Sequence, residues 1–166
     1  RPLAPSTSAD SGVYASLVHD DGGGPALYAG GAFTRIGAEA IAALGRWDGQ
    51  AWEAVAGGAD GPVHALFEWD DGSGNALYVG GDFASAGGVA AESVARWNGA
   101  AFEPLGAGIG GIVRALHAFD AGGGERLYAG GSFDGNEHVL RWNGAAWEST
   151  GLRGPRGSGW SRGARR

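Results

Sequence analysis

Apolar and polar residues alternate along residues 63–69. Val63, Ala65, Phe67 and Trp69 interleave with His64, Leu66 and Glu68, the period-two pattern of a β-strand whose side chains point alternately to two faces. The acidic, glycine-rich stretch 70–75 predicts a turn, and residues 76–83 a second strand. Beyond a Gly/Ala-rich loop, residues 93–97 and 101–105 predict two more short strands flanking Asn98-Gly99. The unit therefore reads as four strands. It occurs three times. Leu27-Tyr28-Ala29-Gly30-Gly31 returns as Leu77-Tyr78-Val79-Gly80-Gly81 and as Leu127-Tyr128-Ala129-Gly130-Gly131, 50 residues apart each time. Arg46-Trp47-Asp48-Gly49 returns as Arg96-Trp97-Asn98-Gly99 and Arg141-Trp142-Asn143-Gly144. The third copy is five residues shorter between its two blocks, which predicts a surface loop there, where deletions are tolerated.

Asn-Gly or Asp-Gly between apolar runs signals a two-residue type I′ hairpin, because both central residues need positive φ. On that reading Trp97 opposes Ala100 and Arg96 opposes Ala101. Trp97 then lies diagonal to Phe102 on one face, and Arg96 diagonal to Glu103 on the other. The same holds for Trp47 with Trp52 and Arg46 with Glu53, and for Trp142 with Trp147 and Arg141 with Glu148. The recurring string thus predicts one aromatic face and one ion-paired face, with no ligand required.

Composition narrows the class. Of 166 residues, 35 are glycine, without the every-third spacing of collagen. Seven Trp, six Phe and four Tyr supply the apolar area that disordered chains lack. With no cysteine, disulfides and thiolate zinc sites are excluded. No apolar run reaches the roughly 18 residues of a membrane span. Residues 152–166 hold five arginines and no acid, which leaves seven basic against 18 acidic residues elsewhere. An acidic array whose aromatics sit at repeat positions does not suit nucleic acid. The tail reads as a disordered extension, with a basic anchor to anionic surfaces as the alternative.

A four-stranded unit of about 50 residues has the period of kelch repeats in β-propellers. The Gly pairs at 30–31, 80–81 and 130–131 and the hairpin aromatics resemble that family in detail. They are also similar to repeats of secreted or surface-displayed bacterial proteins and of fungal cortical polarity markers. The resemblance spans residues 13–151. It implies an all-β partial propeller of three blades, at 13–62, 63–112 and 113–151, with residues 1–12 the remnant of a preceding blade or a linker. Its structural residues would be Gly30, Gly31, Gly80, Gly81, Gly130, Gly131, Arg46, Trp47, Trp52, Arg96, Trp97, Phe102, Arg141, Trp142 and Trp147. The chain is expected to be a fragment or processed form, because three blades are fewer than the four to eight that close a propeller. A dimer of three-blade halves closing a six-bladed ring is the alternative.

Candidate chemistry is sparse. Gly106-Ala107-Gly108-Ile109-Gly110-Gly111 matches a dinucleotide fingerprint, but that motif requires a following helix, and a strand follows here. It reads as a flexible linker, as does Gly57-Gly58-Ala59-Asp60-Gly61. The turn aspartates, Asp70-Asp71 foremost, invite calcium, but they are adjacent where a calcium loop spaces its carboxylates two apart; hairpin turns are the expectation. His19, His64 and His117 fall at three different strand positions and His138 in the shortened loop, so no metal constellation is expected. Asp82 breaks the repeat, standing where Ala32 and Ser132 do, and could face a central channel. The expected function is a non-catalytic scaffold of a secreted or surface protein, contacting a protein, a glycan or neighbouring blades, without a cofactor. The alternative is a carbohydrate-active or other propeller enzyme completed by further blades.

Overall fold

The computed structural model describes residues 8–154. The protein is all-β, built from three successive four-stranded antiparallel sheets. The first contains β1 (Val13–Asp20), β2 (Pro25–Gly31), β5 (Leu44–Trp47) and β6 (Trp52–Ala54), with a separate hairpin of β3 (Arg35–Ile36) and β4 (Glu39–Ala40) between β2 and β5. The second repeats this with β7 (Val63–Asp70), β8 (Asn75–Gly81), β11 (Val94–Trp97) and β12 (Phe102–Pro104), and with the hairpin β9 (Ser85–Ala86) and β10 (Val89–Ala90). The third has β13 (Gly111–Asp120), β14 (Glu125–Phe133), β15 (Val139–Trp142) and β16 (Trp147–Ser149). A single 3-10 turn, Asp134–Asn136, replaces the hairpin in the shortened copy.

The expected strands form, but the closing hairpin has a different register. Trp97 pairs directly with Phe102 and Arg96 with Glu103, and the other two copies do the same. The loop is therefore four residues, 98–101. Asn98 lacks the positive φ of a type I′ turn, which only Gly99 adopts (φ 93°). The side chain of Asn98 explains the change: its Oδ1 accepts hydrogen bonds from the amides of Ala100 and Ala101, an Asx cap that holds the longer loop closed. Both face assignments survive, because opposed residues share a face.

Other details go beyond the expectation. The Gly/Ala-rich loop carries the small hairpin β9–β10. The glycine linkers are packed: Ala59 and Ile109 are buried, their amides donate to the carbonyls of Ala42 and Glu92, and the third sheet starts two residues early, at Gly111. Residues 8–12 are hydrogen-bonded mainly to the β3–β4 hairpin, with Ala9 bridging Ile36 and Gly37 N donating to Ser8 O, and Ala32 N donates to Gly12 O at the end of β2. At the other end, residues 152–154 are fastened to the third sheet: His138 N donates to Leu152 O, and Arg153 Nε lies 2.7 Å from the buried Glu137. The rest of the expected tail, and residues 1–7, lie outside the described residues.

The core lies between the sheets. One apolar cluster joins Tyr28 and Leu44 of the first sheet to Val63, Val79, Trp97 and Phe102 of the second. Another joins Trp69, Tyr78 and Val94 of the second to Val113, Leu116 and Leu127 of the third. Each large side chain buried this way contributes about 1.5–3 kcal/mol. A bulge at the start of each first strand, between Val13 and Ala15 and at the equivalent places, shifts the pairing by one residue. It sets the strand's first valine facing the preceding sheet. There Val63 packs so closely on Gly30 that a Cβ on that glycine would stand 2.5 Å from Val63 Cγ1. Val113 does the same at Gly80. Gly31 and Gly81 would drive a Cβ into a backbone carbonyl. The first glycine of each of the first two pairs is thus a socket for the next sheet, and the second is closed by the start of its own sheet.

Candidate functional site

Polar residues recur on one face of each sheet, the face opposite the aromatic pair. In the first sheet Tyr28 OH donates to Asp21 Oδ2 at 2.6 Å, Arg46 Nε lies 3.6 Å from the same oxygen, and Arg46 Nη1 donates to Glu53 at 2.8 Å. The second sheet repeats this with Tyr78, Asp71, Arg96 and Glu103. Burial, then the neighbouring aspartate, push the Tyr28 hydroxyl up to about 12. Burial also raises Tyr78 to about 12. Burial alone would raise Asp21 and Asp71 too, but hydrogen bonds from Tyr28 and the Gly23 amide, from Ser73 and Tyr78, and the two guanidiniums hold both carboxyls below their ordinary value. At neutral pH the two carboxylates stay ionised and paired, and the two tyrosines stay protonated as their hydrogen-bond donors. In the third sheet Ala121 replaces the aspartate, and Arg141, now half-exposed, keeps its ion pair with Glu148.

The two spaces between sheets differ. Between the first and second, the 98–101 loop closes on the β1–β2 turn: a Cβ on Gly99 would stand 2.5 Å from the Asp21 carbonyl oxygen. Between the second and third, the equivalent Gly144 meets nothing within 4 Å among the described residues. A cleft of about 480 Å³ opens there. Trp69, Asp71, Ser73, Tyr78 and Arg96 line it from the second sheet and Trp142 from the third. Beneath it, the Trp69 indole donates to Glu125 at 2.9 Å.

A second cleft, of about 360 Å³, lies at the other end of β8. Asp60, Asp82, Glu92 and Ser93 line it. Asp60 is committed to the loop beside it, accepting from Ala84 N and from Ser85 N and Oγ. Ser93 is buried, holds φ 61°, and donates its hydroxyl to Gly111 O. Asp82 and Glu92 are exposed, and neither carboxylate accepts a hydrogen bond among the described residues.

The structure thus separates the candidate aspartates. Asp71 sits in the first cleft, Asp82 in the second, and Asp70 Oδ1 caps its own turn through Gly72 N and Gly74 N. Among the described residues no three His, Asp or Glu side chains converge as a metal site would require. The histidines do other work: His19 is 2% exposed and pairs with Glu68 at 2.5 Å across the first interface, His64 stacks on Tyr14, and His117 meets Phe67 edge-on. No helix among the described residues is long and apolar enough to cross a membrane. Set beside protein families, curated proteins and solved structures, the chain matches none. Glu92 was missed in the sequence, although it breaks the repeat as Asp82 does, standing where Ala42 stands in the first copy. The His19–Glu68 and Trp69–Glu125 pairs left no local signal, since their partners lie 49 and 56 residues apart.

Proposed function

We propose that the three sheets are kelch-like blades of a partial β-propeller, and that the chain is a non-catalytic scaffold of a secreted or surface protein, contacting a glycan through the cleft between its second and third sheets. The cleft itself carries this reading. It sets Trp69 and Trp142 beside Ser73, Asp71 and Arg96, and aromatic side chains with nearby hydrogen-bonding groups suit a polyhydroxylated ligand. Asp71, Arg96 and Glu103 pair with one another, whereas Arg126, which also lines the cleft, makes no ion pair among the described residues and offers donors to ligand hydroxyls or to an acidic sugar. A glycan array probed with the chain tests it. Binding is expected, and Ser73→Trp, at an exposed position, is expected to weaken it at least tenfold by filling the cleft. Absence of glycan binding, with retained capture of a protein partner, would replace the glycan by a protein surface. The enzyme reading rests on Asp82 and Glu92, two unpaired carboxylates in one cleft. Glycoside hydrolysis catalysed by the chain and lost in Asp82→Asn would favour it.

A further inference from the structure

The first and third sheets each have a face that no described sheet covers, and the two faces complement each other. We infer that a second copy of this chain occupies them, the first sheet of each copy packing on the third sheet of the other. This rests on the geometry between sheets and not on the glycan reading, which holds or falls separately.

The repeat supplies the register. Val63 fills the socket at Gly30, and Val113 the socket at Gly80; both valines are 0% exposed, whereas their counterpart Val13 is 52% exposed. Gly130 is the matching socket, and it is empty: a Cβ placed there meets only Ala115 Cβ, at 3.8 Å, among the described residues. The next position agrees. His19 and Trp69 are 2% and 9% exposed beneath the following sheet, whereas Phe119 is 59% exposed. Continuing the same 50-residue register across copies sets Val13 into Gly130 and Phe119 on the exposed Val18. Those contacts are apolar where the internal ones are polar. Arg114, the counterpart of His64, would lie on Tyr14 as His64 does, a cation over an aromatic face.

Charge does not choose the partner by itself. Residues 8–62 hold seven acidic side chains and two arginines, and residues 111–154 five acidic side chains and four arginines. Both are net acidic, and contact of first sheet with third is less repulsive than contact of two first sheets. Ser16 stands where Leu66 and Leu116 reach into the core, so the joint is less apolar there than the internal ones and is expected to dissociate on dilution. Two copies give six blades, within the range of closed propellers, and each contact then occurs twice about a two-fold axis.

Sedimentation of the 166-residue chain over a concentration series tests this. A species of twice 16.7 kDa that dissociates on dilution is expected. Gly130→Val fills the socket, and Val13→Asp removes the knob. Each should raise the dimer dissociation constant at least about tenfold, while melting, measured where the wild type is itself monomeric, stays unchanged. An equimolar mixture of the two variants retains one intact joint and should recover a weaker dimer. A wild type that stays at 16.7 kDa, or a Gly130→Val chain that assembles as the wild type does, overturns the inference. Growth beyond two copies overturns the closed ring.

Discussion

The two internal interfaces are built from equivalent positions and close differently. At the first, His19 meets Glu68 and the 98–101 loop lies on Asp21 of the β1–β2 turn. At the second, Trp69 meets Glu125, the 143–146 loop lies against Gly106 while Gly144 leaves the turn at Asp71 untouched, and a cleft of about 480 Å³ stays open. The valine-in-glycine contact near the start of each first strand is common to both. What differs lies at the turn end, where substitutions between the copies change how far one sheet's loop reaches onto the next. The shared contact holds the sheets together; the variable end is where the copies diverge.

The largest expected effect tests the shared part. Gly80→Val would drive two methyl groups into Val113 at a buried position, and overpacking of this kind costs about 3 kcal/mol or more. Loss of the cooperative melt is expected. A normal melt would mean that the sheets can slide apart, and that the socket is not what joins them. Next, Gly99→Ala and Gly144→Ala sharpen the difference between the interfaces. Both glycines hold φ near 100°, so both variants bear the same backbone strain of about 1 kcal/mol. Only Gly99 touches another sheet. Its variant should be less stable than the other by about another 1–2 kcal/mol by urea unfolding; equal losses would erase the distinction between closed and open ends.

A smaller effect tests the bond beneath the cleft. Trp69→Phe removes the indole N–H that Glu125 accepts while keeping an aromatic ring, and should cost about 1 kcal/mol in the same unfolding experiment. The smallest concerns acid. Asp21 and Asp71 are held below their ordinary value of 3.8 when folded. The unfolded chain therefore takes up their protons first as the pH falls. The stability they give is complete above about pH 4 and is lost as the pH drops through the folded values. Melting temperatures between pH 2 and 6 should fall less steeply for Asp21→Asn than for the wild type. An unchanged slope would show that Arg46 and Tyr28 do not depend on that carboxylate.

The alternation at 63–69 and the spacing of the Gly pairs made the strands and their threefold recurrence legible, because strand pairing within a sheet is local in the chain. Hairpin register was less legible. Asn-Gly fits a two-residue turn as readily as the four-residue loop found here, and only the position of the Asn98 side chain separates them. The glycine pairs close β2 and β8 but lie inside β14, and the role of Gly30 and Gly80 as sockets belongs to the space between sheets and leaves no mark on a single copy. The same holds for His19, which looks like a scattered histidine until Glu68 is set against it. The cleft is legible only in part: Asp71 is a candidate, but nothing in its own repeat shows that the loop after Trp142 leaves the turn at Asp71 uncovered.

The partner pairs across the interfaces have one more consequence. Three near-copies in one chain could stack in the wrong order, since strand pairing within each sheet is local in the chain and does not choose the neighbouring sheet. His19 finds its acid on the second sheet at position 68, and Trp69 finds its own on the third at position 125. Set directly on the first sheet, the third would offer His19 only Ala118 at the place of Glu68, and Trp69 would lose its acceptor. The unlike pairs act as addresses. They let the repeats stay alike enough to fold the same way while each accepts only its own neighbour.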